Sequence, residues 1–452
     1  MKDRVKKLRS SLSPVQQFVI SFILLILMGA LLLKLPAATV KGISFVDALF
    51  TSTSATCVTG LVVLDTGKDF TFLGQIIILM LIQFGGLGIM TFSIGIFSMM
   101  GGDFSIKWRF AFREIYNEVV IIPPRQILKK ILLYTASIEL FFAAILFSQF
   151  IKNFNPTEAL WLSLFHSISA FCNAGFSTFS DSLIQYQKNP IVVMATALNI
   201  ILGGIGFIVL TELTNIKFKK NQKIFREFSL HTKIVITSTV ILIFGGAILF
   251  FGLEYNHIIS GMPFVDKITN SLFQSITCRT AGFNTVDIGS LRQNTLAIMM
   301  LLMFIGGSPG SIAGGIKTTT FSVIAGLVIS KFKGKKQVIF WDRAVSEDII
   351  NKSMTLVILA FIFIYGNTIL LLTIHSFDFD NSFLQVMFEV ISAFGTVGLS
   401  TGITPHFSDA SKVILSVVML VGRVGPFAII TAITINKKDS DIEIANENIM
   451  IG

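Results

Sequence analysis

Four glycines stand at equivalent places in four related segments: LFTSTSATCVTGL (49–61), LFHSISAFCNAGF (164–176), LFQSITCRTAGF (272–283) and MFEVISAFGTVGL (387–399). They are Gly60, Gly175, Gly282 and Gly398, recurring roughly every 110 residues. A glycine has no Cβ to block φ > 0, so each lets a short strand turn its carbonyls to one side. Four such strands about one axis would make rings of oxygens able to replace the water around a dehydrated cation. The chemistry expected here is therefore ion binding by backbone. Side chains near these glycines invite other readings. The residue after the aligned phenylalanine is Thr51, His166, Gln274 or Glu389. Glu389 could bind ions or hold the scaffold, and the second is favoured because short helices of this kind back onto protein. His166 reads as a packed, hydrogen-bonded residue, since no Cys or carboxylate sits near it at ligand spacing. Cys57, Cys172 and Cys278 recur with the fold and read as packing residues rather than a redox or metal site. Arg279 aligns with Cys57, Cys172 and Gly395; its side chain is expected to turn away from the axis and pair with Glu389.

The elements that must position these residues are membrane helices. The chain has 452 residues, 53% hydrophobic and 14% charged, with 44 phenylalanines, a balance far from that of a soluble domain. A span needs about 20 apolar residues. Runs of that kind lie near 16–35, 72–98, 127–150, 191–213, 232–253, 294–306 with 318–330, 353–375 and 412–435. The glycine segments fall between the two spans of each pair and are too short to cross, so they are expected to be re-entrant. Irregular backbone at membrane depth survives only where protein or a water-filled path shields it, and four such segments need a shared interior. No separate soluble domain is expected at either end, and the first apolar run reads as a retained helix.

The net charge of +10 is spread along the chain. Every second connection is basic, as in Lys107 to Lys130, Lys217 to Lys233 and Lys331 to Lys352, while the others carry Asp65, Asp69, Glu158, Asp181, Asp266, Asp287, Asp378, Asp380 and Asp409. The positive-inside rule then predicts both termini in the cytoplasm and removes the need for a nucleic-acid partner.

A second mark repeats about two dozen residues after each glycine: QFGGLGIMTF (83–92), ILGGIGFIVL (201–210), FIGGSPGSIAGG (304–315) and LVGRVGPFAI (420–429). Each unit holds two crossings, so all four start on the same side and run parallel, which argues against an inverted-repeat transporter. The expected fold is an all-α polytopic membrane protein with four parallel M1, pore loop, M2 repeats about a central pore: a segment 1–13, repeats 14–100, 125–215, 230–332 and 350–436, and a tail 437–452.

Carried on these motifs, the chain resembles the Trk/Ktr/HKT superfamily of K⁺ transporters over nearly all of residues 15–435, and within it the Ktr membrane subunits of the KtrB/KtrD kind. The resemblance implies one filter glycine per repeat and K⁺ coordination by the backbone of Val58, Thr59 and Gly60, of Asn173, Ala174 and Gly175, of Thr280, Ala281 and Gly282, and of Thr396, Val397 and Gly398. The third M2 is interrupted by GGSPGSIAGGIKTTT (306–320), whose proline and glycines cannot continue a helix. The resemblance makes this an intramembrane gating loop, with Gly306, Gly307, Ser308, Pro309, Gly310, Gly314, Gly315 and Lys317. The fourth M2 places Arg423 where its siblings have Gly86, Gly204 and Gly307. A mid-membrane charge costs at least about 2.5 kcal/mol and must face the interior; the resemblance implies that Arg423 contacts the loop and adds a positive barrier. It further implies a homodimer in a bacterial cell membrane, regulated by a cytoplasmic ring of RCK subunits of the KtrA or KtrC kind that binds ATP or ADP, with Na⁺ as a possible activator and no cofactor in this chain. KtrB and KtrD kinds are not separated by these motifs.

Two other classes compete. A Na⁺- or H⁺-coupled symporter would need a mid-membrane carboxylate alternating between sides, for which Glu139 and Glu389 are the few candidates. An enzyme lacks any Ser/His/Asp set, HExxH or paired catalytic carboxylates.

Overall fold

A computed structural model describes residues 14–99, 124–215, 224–374 and 382–425. The expected segments 1–13 and 437–452, and part of the basic connections, lie outside the described residues. The architecture is all-α and polytopic. Repeat 1 comprises α1 (Pro14–Leu33), α2 (Phe45–Thr56) and α3 (Phe72–Met99); repeat 2 comprises α4 (Pro124–Phe150), α5 (Pro156–Phe171), α6 (Pro190–Gly204) and α7 (Phe207–Thr214). A short helix, α8 (Ile224–Glu227), leads to repeat 3: α9 (Leu230–Glu254), α10 (Phe264–Thr277), α11 (Gln293–Phe304) and α12 (Thr318–Phe332). A two-stranded hairpin, β1 (Ile339–Phe340) and β2 (Arg343–Ala344), precedes repeat 4: α13 (Glu347–Ile374), α14 (Ser382–Gly395) and α15 (Asp409–Val424).

The long helices show apolar side chains outward: Leu24 is 61% exposed, Ile248 71% and Ile362 65%. In water that would be costly; against lipid it is the expected surface. The helices α2, α5, α10 and α14 have 12, 16, 14 and 14 residues, which at about 1.5 Å per residue cannot cross a core of about 30 Å. They are the re-entrant pieces. Hydroxyls pin three of them to the first helix of their own repeat. Ser52 donates to Ile26 O at 2.7 Å, Ser167 to Glu139 O at 2.6 Å and Ser275 to Ile243 O at 2.7 Å. Gly29 and Gly246 make two of these approaches possible, since a Cβ on either would run into the serine hydroxyl opposite.

The repeats close on one another. The second helix of each unit packs on the pore helix of the next: α3 on α5, α6 on α10, α11 on α14, and α15 back on α2. Lys412 on α15 seals the last junction, with Nζ 2.7 Å from Asp47 Oδ1 on α2.

The four glycine-bearing marks that follow the pore segments do not behave alike. In the first, α3 continues through Gly85, Gly86 and Gly88 as helix. In the second, read from sequence as one span over 191–213, the chain turns by 99° between α6 and α7, where Gly206 takes φ 98°. The turn needs a residue without Cβ, and Phe207 N then donates to Gly310 O at 2.9 Å in the loop of repeat 3. The third motif opens into the loop between α11 and α12, and in the fourth α15 ends at Val424 with Gly425 at φ 93°; the remainder of the span expected to 435 lies outside the described residues.

Candidate functional site

Each pore helix ends just before a strand with the same backbone signature. Val58, Asn173, Thr280 and Thr396, two residues before their glycines, have φ of 56°, 55°, 67° and 49°, and Gly60, Gly175, Gly282 and Gly398 have φ of 93°, 68°, 80° and 91°. Non-glycine residues rarely accept left-handed backbone, at about 1–3 kcal/mol each, so four in register mark a conformation held by its surroundings.

Those surroundings include a hydroxyl at the end of each pore helix. The carbonyls of Ser54, Ser169 and Ser392 each accept the N–H of the residue before the glycine (Thr59, Ala174, Val397) at 2.8 Å, and Thr277 O accepts from Ala281 N at 3.0 Å. Their hydroxyls reach the strand as well. Ser54 and Ser392 accept from Gly60 N and Gly398 N at 3.1 Å, whereas Ser169 and Thr277 donate to Phe176 O and Phe283 O at 2.7 and 2.6 Å. The three serines lie six residues before their glycine and Thr277 lies five before, so repeat 3 is one residue shorter here. Sequence reasoning passed over this hydroxyl, although its recurrence stands in the four segments.

The four glycines converge. A Cβ on Gly60 would meet Ala174 O, with Gly175 Cα at 3.1 Å; one on Gly175 would lie 2.8 Å from Ala281 O and from Gly282 Cα; one on Gly282 would lie 2.5 Å from Val397 O and 3.3 Å from Gly398 Cα; and one on Gly398 would meet Thr59 O, with Gly60 Cα at 2.8 Å. The contacts run from repeat 1 to 2 to 3 to 4 and back to 1. In every case the atom met is the carbonyl oxygen of the residue before the next glycine, so Thr59, Ala174, Ala281 and Val397 turn their oxygens inward. A side chain at any of the four glycines would occupy the space those oxygens face.

All four glycines line one end of a cavity of about 410 Å³, whose walls include Asp65, Asp181, Ser177 and Ser400. In repeats 2, 3 and 4 the strand leaving the glycine is tied back to its pore helix, whereas Thr51 Oγ1 in repeat 1 makes no such bond among the described residues. His166 Nδ1 donates to Leu162 O at 2.7 Å, which leaves Nε2 to accept from Ser177 Oγ at 3.0 Å. Gln274 Nε2 donates to Thr285 Oγ1 at 3.3 Å. Glu389, wholly buried, accepts from Ser400 Oγ, Thr401 N and Thr401 Oγ1 at 2.8, 2.8 and 3.2 Å, and from Thr404 Oγ1 at 2.7 Å. Both of its oxygens are thus committed to the chain just past Gly398.

Arg279 does not pair with Glu389, contrary to the sequence expectation. Its Nη2 donates to Thr239 Oγ1 on α9 at 3.3 Å, and it lines a small cavity with Ile200, Gly204, Ile205 and Gly307. Among the described residues the four ion pairs within 4 Å do not include it. The shorter segment of repeat 3 moves Arg279 out of the register counted from the glycine, and its side chain runs away from repeat 4. The cysteines are buried and free.

Beneath the glycine ring lies the loop between α11 and α12. Its base is clipped by Gly306 N to Ile316 O at 2.8 Å and Thr318 N to Gly307 O at 3.0 Å. Its limb lies on the bend of repeat 2, with Ser308 N donating to Gly204 O at 3.1 Å and Ile312 N to Gly203 O at 3.4 Å. Its crest reaches up to the strands: a Cβ on Gly314 would lie 2.9 Å from Thr396 Cγ2 and one on Gly315 3.3 Å from Gly395 Cα. A Cβ on Gly206 would lie 2.9 Å from Pro309 O. Lys317 Nζ folds onto Ala313 O at 2.6 Å. Arg423, 3% exposed, donates through Nη1 to Ile312 O and through Nη2 to Gly85 O at 2.7 Å and Gly86 O at 3.3 Å. One guanidinium therefore joins repeat 4, the loop of repeat 3 and the second helix of repeat 1.

Known proteins share this chain's pattern. A family profile described as "TrkH: Cation transport protein" matches residues 6–443. The Ktr system potassium uptake protein B of Bacillus subtilis is 43% identical over 420 residues, 92% of each chain. The Potassium/sodium uptake protein NtpJ of Enterococcus hirae is 35% identical over 99% of each, and the Ktr system potassium uptake protein D of B. subtilis 36% identical over 100% of each. In fold, the chain is similar to the crystal structure of the potassium transporter TrkH from Vibrio parahaemolyticus, with a TM-score of 0.70 at 19% identity, covering 92% of this chain and 83% of that one.

Proposed function

We propose, from the premise that this chain belongs to the TrkH family of cation transport proteins, that it takes K⁺ into the cell through the ring of four glycines. The protein is a multi-pass membrane transporter and not an enzyme. The observation that carries the reading is the closed ring, in which each glycine faces the inward carbonyl of the next repeat. Backbone oxygens so placed can stand in for the hydration shell of K⁺, and Val58 to Gly60, Asn173 to Gly175, Thr280 to Gly282 and Thr396 to Gly398 are the coordinating strands. The cavity with Asp65 and Asp181 faces outside and gathers cations; both termini face the cytoplasm. The membrane potential contributes about 2.3 kcal/mol per charge per 100 mV toward the interior.

The loop from Gly306 to Lys317 gates this path, with Arg423 as its latch and as a positive barrier. Its contact with Thr396 above and Ile312 with Arg423 beside it support that role. Arg279 and Glu389 brace the strands separately, one through α9 and the other through the turn after Gly398. The relatives' description as proteins of a Ktr system supports a membrane subunit, here a homodimer, working with a cytoplasmic RCK ring that binds ATP or ADP. The test is ⁸⁶Rb⁺ flux into proteoliposomes for the wild type and a deletion of residues 310–314. Constitutive flux after deletion supports the gate, and unchanged flux refutes it.

Sodium gives the second reading, because one relative is described as a potassium/sodium uptake protein. Glu139, 8% exposed and accepting from Gln83 Nε2 at 3.3 Å, would be the carboxylate of a coupled mechanism. A reversal potential that follows the K⁺ gradient alone, whatever the Na⁺ or H⁺ gradient, removes it.

A further inference from the structure

The hairpin that follows the gate-bearing helix α12 stands outside the pore. The helix stops at a left-handed glycine, Gly334 at φ 65°, with Lys335 N donating back to Ser330 O at 2.9 Å, a Schellman ending. The chain then folds back along the helix it has left. A Cβ on Gly326 would lie 2.5 Å from Phe340 Cζ and 3.1 Å from Val338 Cγ1. Gly326 sits six residues before Phe332, about 9 Å up the helix, so the hairpin lies back against the last turns of α12.

What this hairpin shows outward is mixed in a particular way. Phe332 is 88% exposed, Ile339 46% and Trp341 43%, with Phe225 of α8, 41% exposed, at 5.9 Å from the Trp341 ring. Within residues 331–343, Lys331, Lys333, Lys335, Lys336 and Arg343 are all exposed, against one carboxylate, Asp342, while α8 adds an exposed Glu227. None of these cations enters an ion pair within 4 Å among the described residues. The tip is Trp341 at φ 44° and Asp342 at φ 64°, a turn that ordinarily takes Asn-Gly; a tryptophan is held there against its backbone preference.

Basic loops in general mark topology, and a charge count alone carries no more than that. Here the exposed cations flank, in sequence, exposed aromatic side chains on a hairpin that folds back along α12. Trp at a headgroup boundary and a Lys/Arg cluster directly after a span fit the interface of an anionic leaflet. We infer that the hairpin 331–343 is a binding site for anionic phospholipid headgroups of the cytoplasmic leaflet, with Trp341 seated at the headgroup level and Lys333, Lys335 and Lys336 on the phosphates. This rests on the orientation given under the proposed function.

The test uses the full chain with Trp108→Phe and Trp161→Phe, which leaves Trp341 as the only tryptophan of three. It is reconstituted in phosphatidylcholine vesicles with and without phosphatidylglycerol, one or the other lipid brominated. The site predicts that brominated phosphatidylglycerol quenches Trp341 about twofold or more beyond brominated phosphatidylcholine, and that Lys333→Gln, Lys335→Gln and Lys336→Gln together abolish the preference while leaving quenching itself. Equal quenching by both lipids would overturn the headgroup site and leave a plain interfacial anchor. Quenching by neither would overturn it in favour of a surface kept for a cytoplasmic protein. Rb⁺ flux measured on the same vesicles with residues 310–314 deleted, so that the gate cannot mask it, keeps the two proposals apart: absent flux with selective quenching removes the transport reading and retains the lipid site.

Discussion

The glycine ring and the layer beneath it, where the second repeated mark of each unit lies, are both built from four copies of one sequence unit, and they have diverged to opposite degrees. In the ring, four backbones keep the same pair of left-handed residues and four hydroxyl-bearing residues receive the strands, even though the side chains behind them are Thr51, His166, Gln274 and Glu389. Below, the same glycines give a continuous helix, a 99° bend, an open loop and a helix end carrying Arg423. On the proposed reading, coordination by carbonyl oxygens asks only for backbone, and a ring works when its members agree. A gate asks for something that moves against something that does not, and four identical elements about an axis offer no such contrast.

Substitutions can break this division. The largest effect is expected at the ring. Gly398→Ala puts a methyl against Thr59 O in a left-handed backbone, a strain of about 1–3 kcal/mol before any lost coordination, and Rb⁺ flux in proteoliposomes should fall roughly 10–100-fold with it. Next is Arg423→Ala. Hydrogen bonds from a charged group contribute about 1.5–3 kcal/mol each, and losing those to Ile312, Gly85 and Gly86 should raise resting flux about tenfold while the K⁺ over Na⁺ ratio stays unchanged. Flux that falls, or a changed ratio, would merge the two layers into one.

Gly206→Ala sharpens the same contrast from repeat 2. It places a side chain at φ 98° beside Pro309 O, so thermal stability should drop by about 1–3 kcal/mol and gating should shift, again with selectivity intact. The smallest effect belongs to Ser392→Ala, which removes one hydrogen bond to Gly398 N, worth about 1 kcal/mol. The K⁺ over Na⁺ permeability ratio should decrease by about fivefold, and an unaltered ratio would show that the hydroxyl is not needed to hold the strand.

How far these layers were legible from sequence follows from what each depends on. The ring was readable because glycine is the one residue type that its geometry admits, so Gly60, Gly175, Gly282 and Gly398 announce themselves by spacing. The loop was readable from Pro309 and its glycines, which no helix accommodates. The bend at Gly206 was not, because ILGGIGFIVL is as apolar and as long as QFGGLGIMTF, which stays helical; the difference comes from Gly310 O offering Phe207 N a partner across the molecule. Arg279 failed for a related reason. Its alignment counted back from the glycine, whereas the fold counts from the hydroxyl of Thr277, and the missing residue of repeat 3 lies between the two. Contacts at long sequence separation, such as Lys412 with Asp47, leave no local mark at all.

The reversal potential of the reconstituted protein under opposed K⁺ and Na⁺ gradients, for wild type and Gly282→Ser, decides whether ions pass the glycine ring. Passage through the ring predicts a wild-type reversal near the K⁺ equilibrium potential that moves toward the Na⁺ value in the variant, because the new Cβ faces Val397 O. A K⁺-selective wild type whose reversal potential is unmoved by Gly282→Ser would contradict it.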